Sequence, residues 1–207
     1  MQTYTAVPTD EVIDRTVETL KSRTNIDAVV AENGAQALEM LIRKIPERSE
    51  IFPNGSVTLN QIGFTDYLAS NPDRYRNLRQ NIVSEPDAAK RAQLRRRTTI
   101  IADYYLGSVH AVAETGEVVT ASMGGAQLAA YVFGARNVIW VVGAQKIVPD
   151  LESALRRVRE HSLPLEDDRM RQSGSPNGSS IGKLLIVEKE ARPGRISIIF
   201  VKESLGF

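Results

Sequence analysis

The sequence predicts an α/β fold: an open, mostly parallel sheet flanked by helices, with extra helices at the N-terminal end and a β-hairpin at the C-terminal end. Two observations carry this. Short apolar runs alternate with helical periodicities along most of the chain, and the run Asn137 to Val142 (NVIWVV) is continuously apolar, as in a parallel strand covered on both faces. The 207 residues suit one domain over 1–207: a helix-rich part (1–97), a central part (98–163) and the C-terminal hairpin (181–207).

Thr9, Asp10 and Glu11 read as an N-cap with an acidic first turn, after which Ile13, Val17 and Leu20 recur on one helical face. Asp27 to Glu32 is a short strand. Asn33 and Gln36 then cap a second helix with Leu38, Leu41, Ile42 and Ile45 on one face. Ser49 to Pro53 reads as the next strand, and Thr58 with Gln61 as the T-x-x-Q capping box of a third helix. Residues 66–97 are basic and mostly helical, broken at Asn71-Pro72 and Glu85-Pro86. Arg91, Arg95, Arg96 and Arg97 read either as a phosphate patch or, more simply, as a solvated helix face, since no aromatics interleave them.

Ser108 to Ala113 and Glu117 to Ala121 read as a hairpin around the turn Glu114-Thr115-Gly116. Gly124-Gly125 opens AQLAAYVF, an almost uniformly apolar stretch expected to be buried if helical. With the strand Asn137 to Val142 it completes an expected right-handed βαβ unit. Gly143-Ala144-Gln145-Lys146 leads through Pro149-Asp150 into a helix with Leu151, Ala154, Leu155 and Val158 in register. The Ser/Gly-rich stretch 173–180 joins it to the C-terminal hairpin, KLLIVEKE and RISIIFV around Arg192-Pro193-Gly194.

Without cysteine the chain can hold no disulfide, no Cys-ligated iron–sulfur cluster and no thiol nucleophile, and two histidines leave little for a metal centre. With 26 basic against 25 acidic residues, no whole-protein field favours a polyanion, so nucleic acid is not the expected partner. No stretch approaches the ~20 apolar residues that cross a bilayer, and Met1 to Thr5 lack a signal-peptide start. The expectation is a soluble cytoplasmic protein.

Open parallel sheets bind ligands beyond the carboxyl ends of their strands. Three Gly-bearing loops are expected there, each before a helix: Asn54-Gly55-Ser56-Val57-Thr58, Ser122-Met123-Gly124-Gly125, and Gly143-Ala144-Gln145-Lys146. Free N–H groups, the Ser56 and Thr58 hydroxyls and the Lys146 charge would suit a carboxylate or phosphate. Neither the dinucleotide fingerprint nor the Walker loop is present. Glu114 reads as a solvated turn residue or, if its turn leans over the crevice, as a general base with Lys146 as electrostatic partner. His110 reads as packed, and His161 as a cation in the last turn of a helix.

Ala113-Glu114-Thr115-Gly116 and VVGAQKIVPDLESAL from Val141 to Leu155 resemble the LUD family, the lactate-utilisation proteins of the LutC type. NGSVTLNQIGF and GKLLIVEKE…GRISIIFVKE extend the resemblance over most of the chain. It implies a fold like that of the NagB/RpiA/CoA-transferase superfamily, with ligand groups at Thr115 and Gly116 as well as the loop glycines. It also implies a part in L-lactate oxidation to pyruvate with iron–sulfur partner proteins, and no particular cofactor. This chain departs from the family pattern at Gly107-Ser108-Val109-His110, where an Ala-Asp pair is frequent, and at Gly124-Gly125-Ala126-Gln127, where Gly-Asn-Arg is frequent. Three functions follow as alternatives: a metabolite-binding component of lactate utilisation, an independent sugar-phosphate isomerase or CoA-transferase-like enzyme, and a non-catalytic assembly or regulatory subunit.

Overall fold

The computed structural model describes residues 4–98 and 100–207. Met1 to Thr3, on which part of the signal-peptide reading rests, lie outside them.

Helix α1 (Asp10–Thr19) continues as a π turn through Thr24 and buries Ile13, Val17 and Leu20, as their spacing predicts. Strand β1 (Asp27–Ala31) precedes α2 (Gly34–Lys44), where Asn33 Oδ1 accepts from Gln36 N at 3.0 Å and Gln36 Oε1 accepts from Glu32 N at 2.6 Å. After β2 (Glu50–Pro53) comes the short α3 (Val57–Gln61), capped by Ser56, whose hydroxyl accepts from Leu59 N at 3.3 Å. The expected Thr58–Gln61 box does not form. Thr58 sits inside the helix with its side chain buried, and Gln61 Oε1 accepts from Gly206 N at 2.6 Å instead.

The basic segment folds as α4 (Phe64–Ser70), β3 (Arg76–Asn77), α5 (Leu78–Val83) and α6 (Ala88–Thr98), with both proline breaks between elements. A strand not read from the sequence, β4 (Tyr104–Gly107), comes first; the strand expected over Ser108 to Ala113 is confined to β5 (Ala111–Ala113), because Ser108 to His110 form the link between the two sheets, and β6 (Val118–Ser122) follows. Helix α7 (Ala126–Ala129), with a π turn to Gly134, leads to β7 (Asn137–Gly143). A 3₁₀ turn (Ala144–Lys146) joins β7 to β8 (Ile147–Val148), and α8 (Leu151–Arg157) runs on through a π turn into α9 (Leu163–Gln172). Strands β9 (Lys183–Val187) and β10 (Ile196–Val201) complete the order.

Six strands form an all-parallel sheet in the order β1-β10-β7-β4-β2-β3. Its central strands are covered on both sides. Val138, Trp140, Ile198 and Phe200 enter one core with α1, while Ile139, Val141, Ile199 and Val201 enter another with α2 and α3. That two-sided burial is why β7 and β10 read as unbroken apolar runs. The second sheet, β8-β5-β6-β9, encloses a smaller core with Ala154 and Val158 of the α8 segment.

Four expectations are corrected here. The C-terminal hairpin does not exist, because β9 pairs with β6 at the edge of the second sheet while β10 lies between β1 and β7. All six residues of β10 are buried, which only a central position allows, whereas β9 is half-buried and takes an edge. The β6-α7-β7 segment is not a βαβ unit, since β6 and β7 lie in different sheets and β7 is paired on both sides by β4 and β10. AQLAAYVF is buried on one side only: Leu128, Ala130 and Tyr131 face the core, while Val132 and Phe133 are 59% and 83% exposed. His161 is not at a helix end, because the π turn Val158–Ser162 passes without a break into α9 and the helical path continues through Pro164 to Gln172.

Candidate functional site

Strands β7, β4 and β2 are parallel neighbours, so their carboxyl ends lie side by side. Each ends in a short connection that carries chemistry. Ser108–His110 passes the chain from β4 to the second sheet, Ala144–Lys146 passes it from β7 to the same sheet, and Asn54–Ser56 leads from β2 into α3. Between them opens a cleft of about 1680 Å³, with Asn54, Ser56, Thr58, Ser108, His110 and Lys146 among its lining residues.

Lys146 is 2% exposed. Its Nζ donates to Ser108 Oγ and Val109 O, each at 3.2 Å, and to Thr58 Oγ1 at 3.4 Å. These contacts are long beside the ~2.7–2.9 Å usual for charge-assisted bonds. Among the described residues no carboxylate pairs with Lys146, nor with Arg157, a second fully buried cation that donates to His110 O, Ser162 Oγ and Tyr4 O. Burial without a counter-charge, together with the Arg157 charge, pushes the Lys146 ammonium down to about 7. His110 is pushed down to about 3 by the same burial and by both cations, so its ring is neutral, and its Nδ1 accepts from Ala121 N at 3.1 Å.

The C-terminal residues close over this lysine. Gln145 Nε2 donates to Leu205 O at 2.8 Å, and Gly206 adopts φ +62° where a Cβ would lie 2.4 Å from Thr58 Oγ1 and 3.0 Å from Lys146 Nζ. Only glycine fits there. On the cleft's other walls stand Arg79, Arg91, Arg95, Arg96 and Arg169, and the single carboxylate side chain among the described lining residues is Glu166. Arg169 already holds that carboxylate through two bonds of 2.7 Å.

The structure brings Asn54, Gly55, Ser56, Thr58, Gly124 and Lys146 to this cleft. It does not bring Glu114 to Lys146. The Glu114 carboxylate pairs with Arg15 at 2.5 Å, Thr115 O accepts from Arg23, and a Cβ on Gly116 would meet Thr19 and Thr24, so this turn docks on α1 and its π extension. Gly125 caps α7 and donates its N–H to Ser122 Oγ, outside the lining. Gly143 faces the C-terminal residues, where a Cβ would lie 2.6 Å from Leu205 N, so its role is close packing.

Ser108, Arg157 and Arg79 are additions that sequence reasoning missed. For Ser108 the signal was the β-favouring run Tyr104-Tyr105-Leu106 ended by Gly107, which marks β4 and puts Ser108 just past its carboxyl end.

Comparison with known families gives a match to the LUD domain over residues 13–201. Among solved structures, a DUF162 family protein from Deinococcus radiodurans superposes with a TM-score of 0.55 at 12% identity, covering 94% of this chain and 99% of that one. At that identity the likeness speaks for the fold alone. Comparison with curated proteins gives no match. Among the described residues, no helix is long and apolar enough to cross a membrane, and no group of three or more His, Cys, Asp or Glu stands where it could hold a metal ion.

Proposed function

The chain belongs to the LUD domain family, and from that premise we propose that it takes a small carboxylate or phosphorylated metabolite at Lys146 as a component of lactate utilisation. The observation that carries this reading is a buried ammonium at the meeting of three strand ends, with hydroxyls around it and no carboxylate to neutralise it. A buried cation without a partner is costly, and an anionic ligand removes that cost. Lys146 would hold the ligand's negative charge, with Ser108 and Thr58 turning their O–H groups toward it. The ligand would also raise the affinity of Lys146 for its proton, so binding near pH 8 takes up protons.

Electron transfer is assigned to partner proteins, since the chain lacks the cysteines that ligate clusters. Iron–sulfur proteins of the same pathway are the proposed partners. Standalone isomerase or CoA-transferase chemistry would need a carboxylate beside Lys146, and the described lining residues offer only Glu166, engaged by Arg169.

Thermal unfolding with L-lactate, pyruvate and inorganic phosphate tests the reading in wild type and Lys146→Met. A ligand at a hundredfold excess over its Kd should stabilise the wild type by about 2.7 kcal/mol and leave Lys146→Met unmoved. Failure of all three ligands to shift the wild type, or an equal shift in the variant, would remove Lys146 from the proposal.

A further inference from the structure

Helix α6 carries five basic residues and no acid over its eleven positions. Leu94 packs against the main core and Thr98 is buried, so one side of the helix is committed to the body. The residues of α6 that line the cleft are Ala88, Arg91, Ala92, Arg95 and Arg96. Their spacing, i, i+3, i+4, i+7, i+8, is one helical stripe. It brings three arginines to the cleft, of which Arg91 also donates from Nη1 to Glu85 O at 2.8 Å, with alanines between them that leave room for a bound group.

Arg79 on α5 continues the wall. Its Nη1 donates to Pro53 O at 3.3 Å, and its Nη2 lies 3.4 Å from where a Cβ on Gly55 would be, so the basic surface reaches the loop that leads to Thr58. Among the described residues, Arg79, Arg91 and Arg96 make no ion pair. Beside the stripe, Ile82 and Val83 also line the cleft, and Val83 is 66% exposed, giving apolar surface for an organic moiety. The volume of about 1680 Å³ exceeds the ~300–1,000 Å³ of an ordinary small-molecule pocket and is far more than a three-carbon acid fills.

We infer that the arginine stripe is a second anion subsite, for the phosphates of an organic diphosphate of nucleoside-diphosphate size. Guanidinium forks match phosphate oxygens two at a time, and a diphosphate spans more than one of them. The inference extends the anion reading of the cleft but stands on α6 and α5, not on Lys146. A nucleic-acid strand is disfavoured because no aromatic side chains interleave the arginines.

Titration calorimetry at low ionic strength with ADP and with inorganic pyrophosphate tests it, using wild type, Arg91→Gln/Arg96→Gln, and the charge-matched control Lys90→Gln/Arg97→Gln, whose positions lie off the stripe. ADP should bind saturably, at least tenfold more weakly to Arg91→Gln/Arg96→Gln, and within twofold of wild type to the control. Pyrophosphate should bind more weakly than ADP, because it lacks the organic part. Absence of saturable ADP binding, equal weakening in both double variants, pyrophosphate as tight as ADP, or a single-stranded RNA oligomer binding more tightly than ADP would each overturn the inference. None of these outcomes depends on the response of Lys146 to pyruvate or lactate, so the two sites fail separately.

Discussion

Arg195 and Lys146 are both buried cations on connections that flank the parallel sheet, and their surroundings differ in one respect. The Arg195 guanidinium donates to Glu190 Oε2 at 2.8 Å, to Ala135 O at 3.1 Å, and to the carbonyls of Tyr131 and Val132. Lys146 has two hydroxyls and one carbonyl and no acid. The first arrangement is complete in itself and ties the turn before β10 to the end of the α7 segment. The second leaves a charge that the fold does not neutralise, and it is this difference on which the proposed ligand role of Lys146 rests.

The contrast is testable, most severely at the paired site. Arg195→Met would leave the Glu190 carboxylate buried alone and should cost about 3–5 kcal/mol in urea unfolding. A loss under about 1 kcal/mol would show that the pair is no more structural than the lone lysine.

The pH response comes next in size. The Lys146 ammonium falls from its ordinary 10.5 to about 7 on folding. Below pH 7 it is charged in both states and the burial cost is fully present. Between pH 7 and 10.5 the unfolded chain binds a proton that the folded chain has released, so stability should rise with pH by at most about 1.4 kcal/mol per unit. Lys146→Met should lack this rise, and parallel profiles for the two proteins would mean that the ammonium is not perturbed by its burial.

Ser56→Ala removes the cap of α3, the helix that places Thr58 beneath Lys146, and should cost about 1 kcal/mol. If guanidinium unfolding shows no loss, the cap assignment falls. The smallest effect belongs to the unpaired cation itself. At pH 7 without ligand, Lys146→Met should match the wild type in stability or exceed it by up to about 1 kcal/mol. A large loss instead would class Lys146 with Arg195 as a structural residue.

Much of the architecture was legible because it is written in local periodicity. The Ile13-Val17-Leu20 and Leu41-Ile45 faces, and the unbroken apolar strands β7 and β10, record which sides of each element meet the core. Loop glycines before helices marked the strand ends, and Lys146 was found among them. The arginines of α6 were visible as a cluster but not as a cleft wall, because an apolar pattern shows which face turns inward, not what the opposite face looks upon.

Sequence alone determined that this chain is an α/β protein without cysteine chemistry, with candidate anion groups at Ser56, Thr58 and Lys146. Tertiary structure decided the partners. It separated β9 from β10, placed β6 and β7 in different sheets, turned Glu114 toward Arg15, and set Ser108 beside Lys146. The reason is physical: burial and helical repeat are properties of a few consecutive residues, whereas strand pairing and charge compensation depend on groups far apart in the chain. Ser108 and Lys146 are separated by 38 positions and meet because β4 and β7 are hydrogen-bonded neighbours.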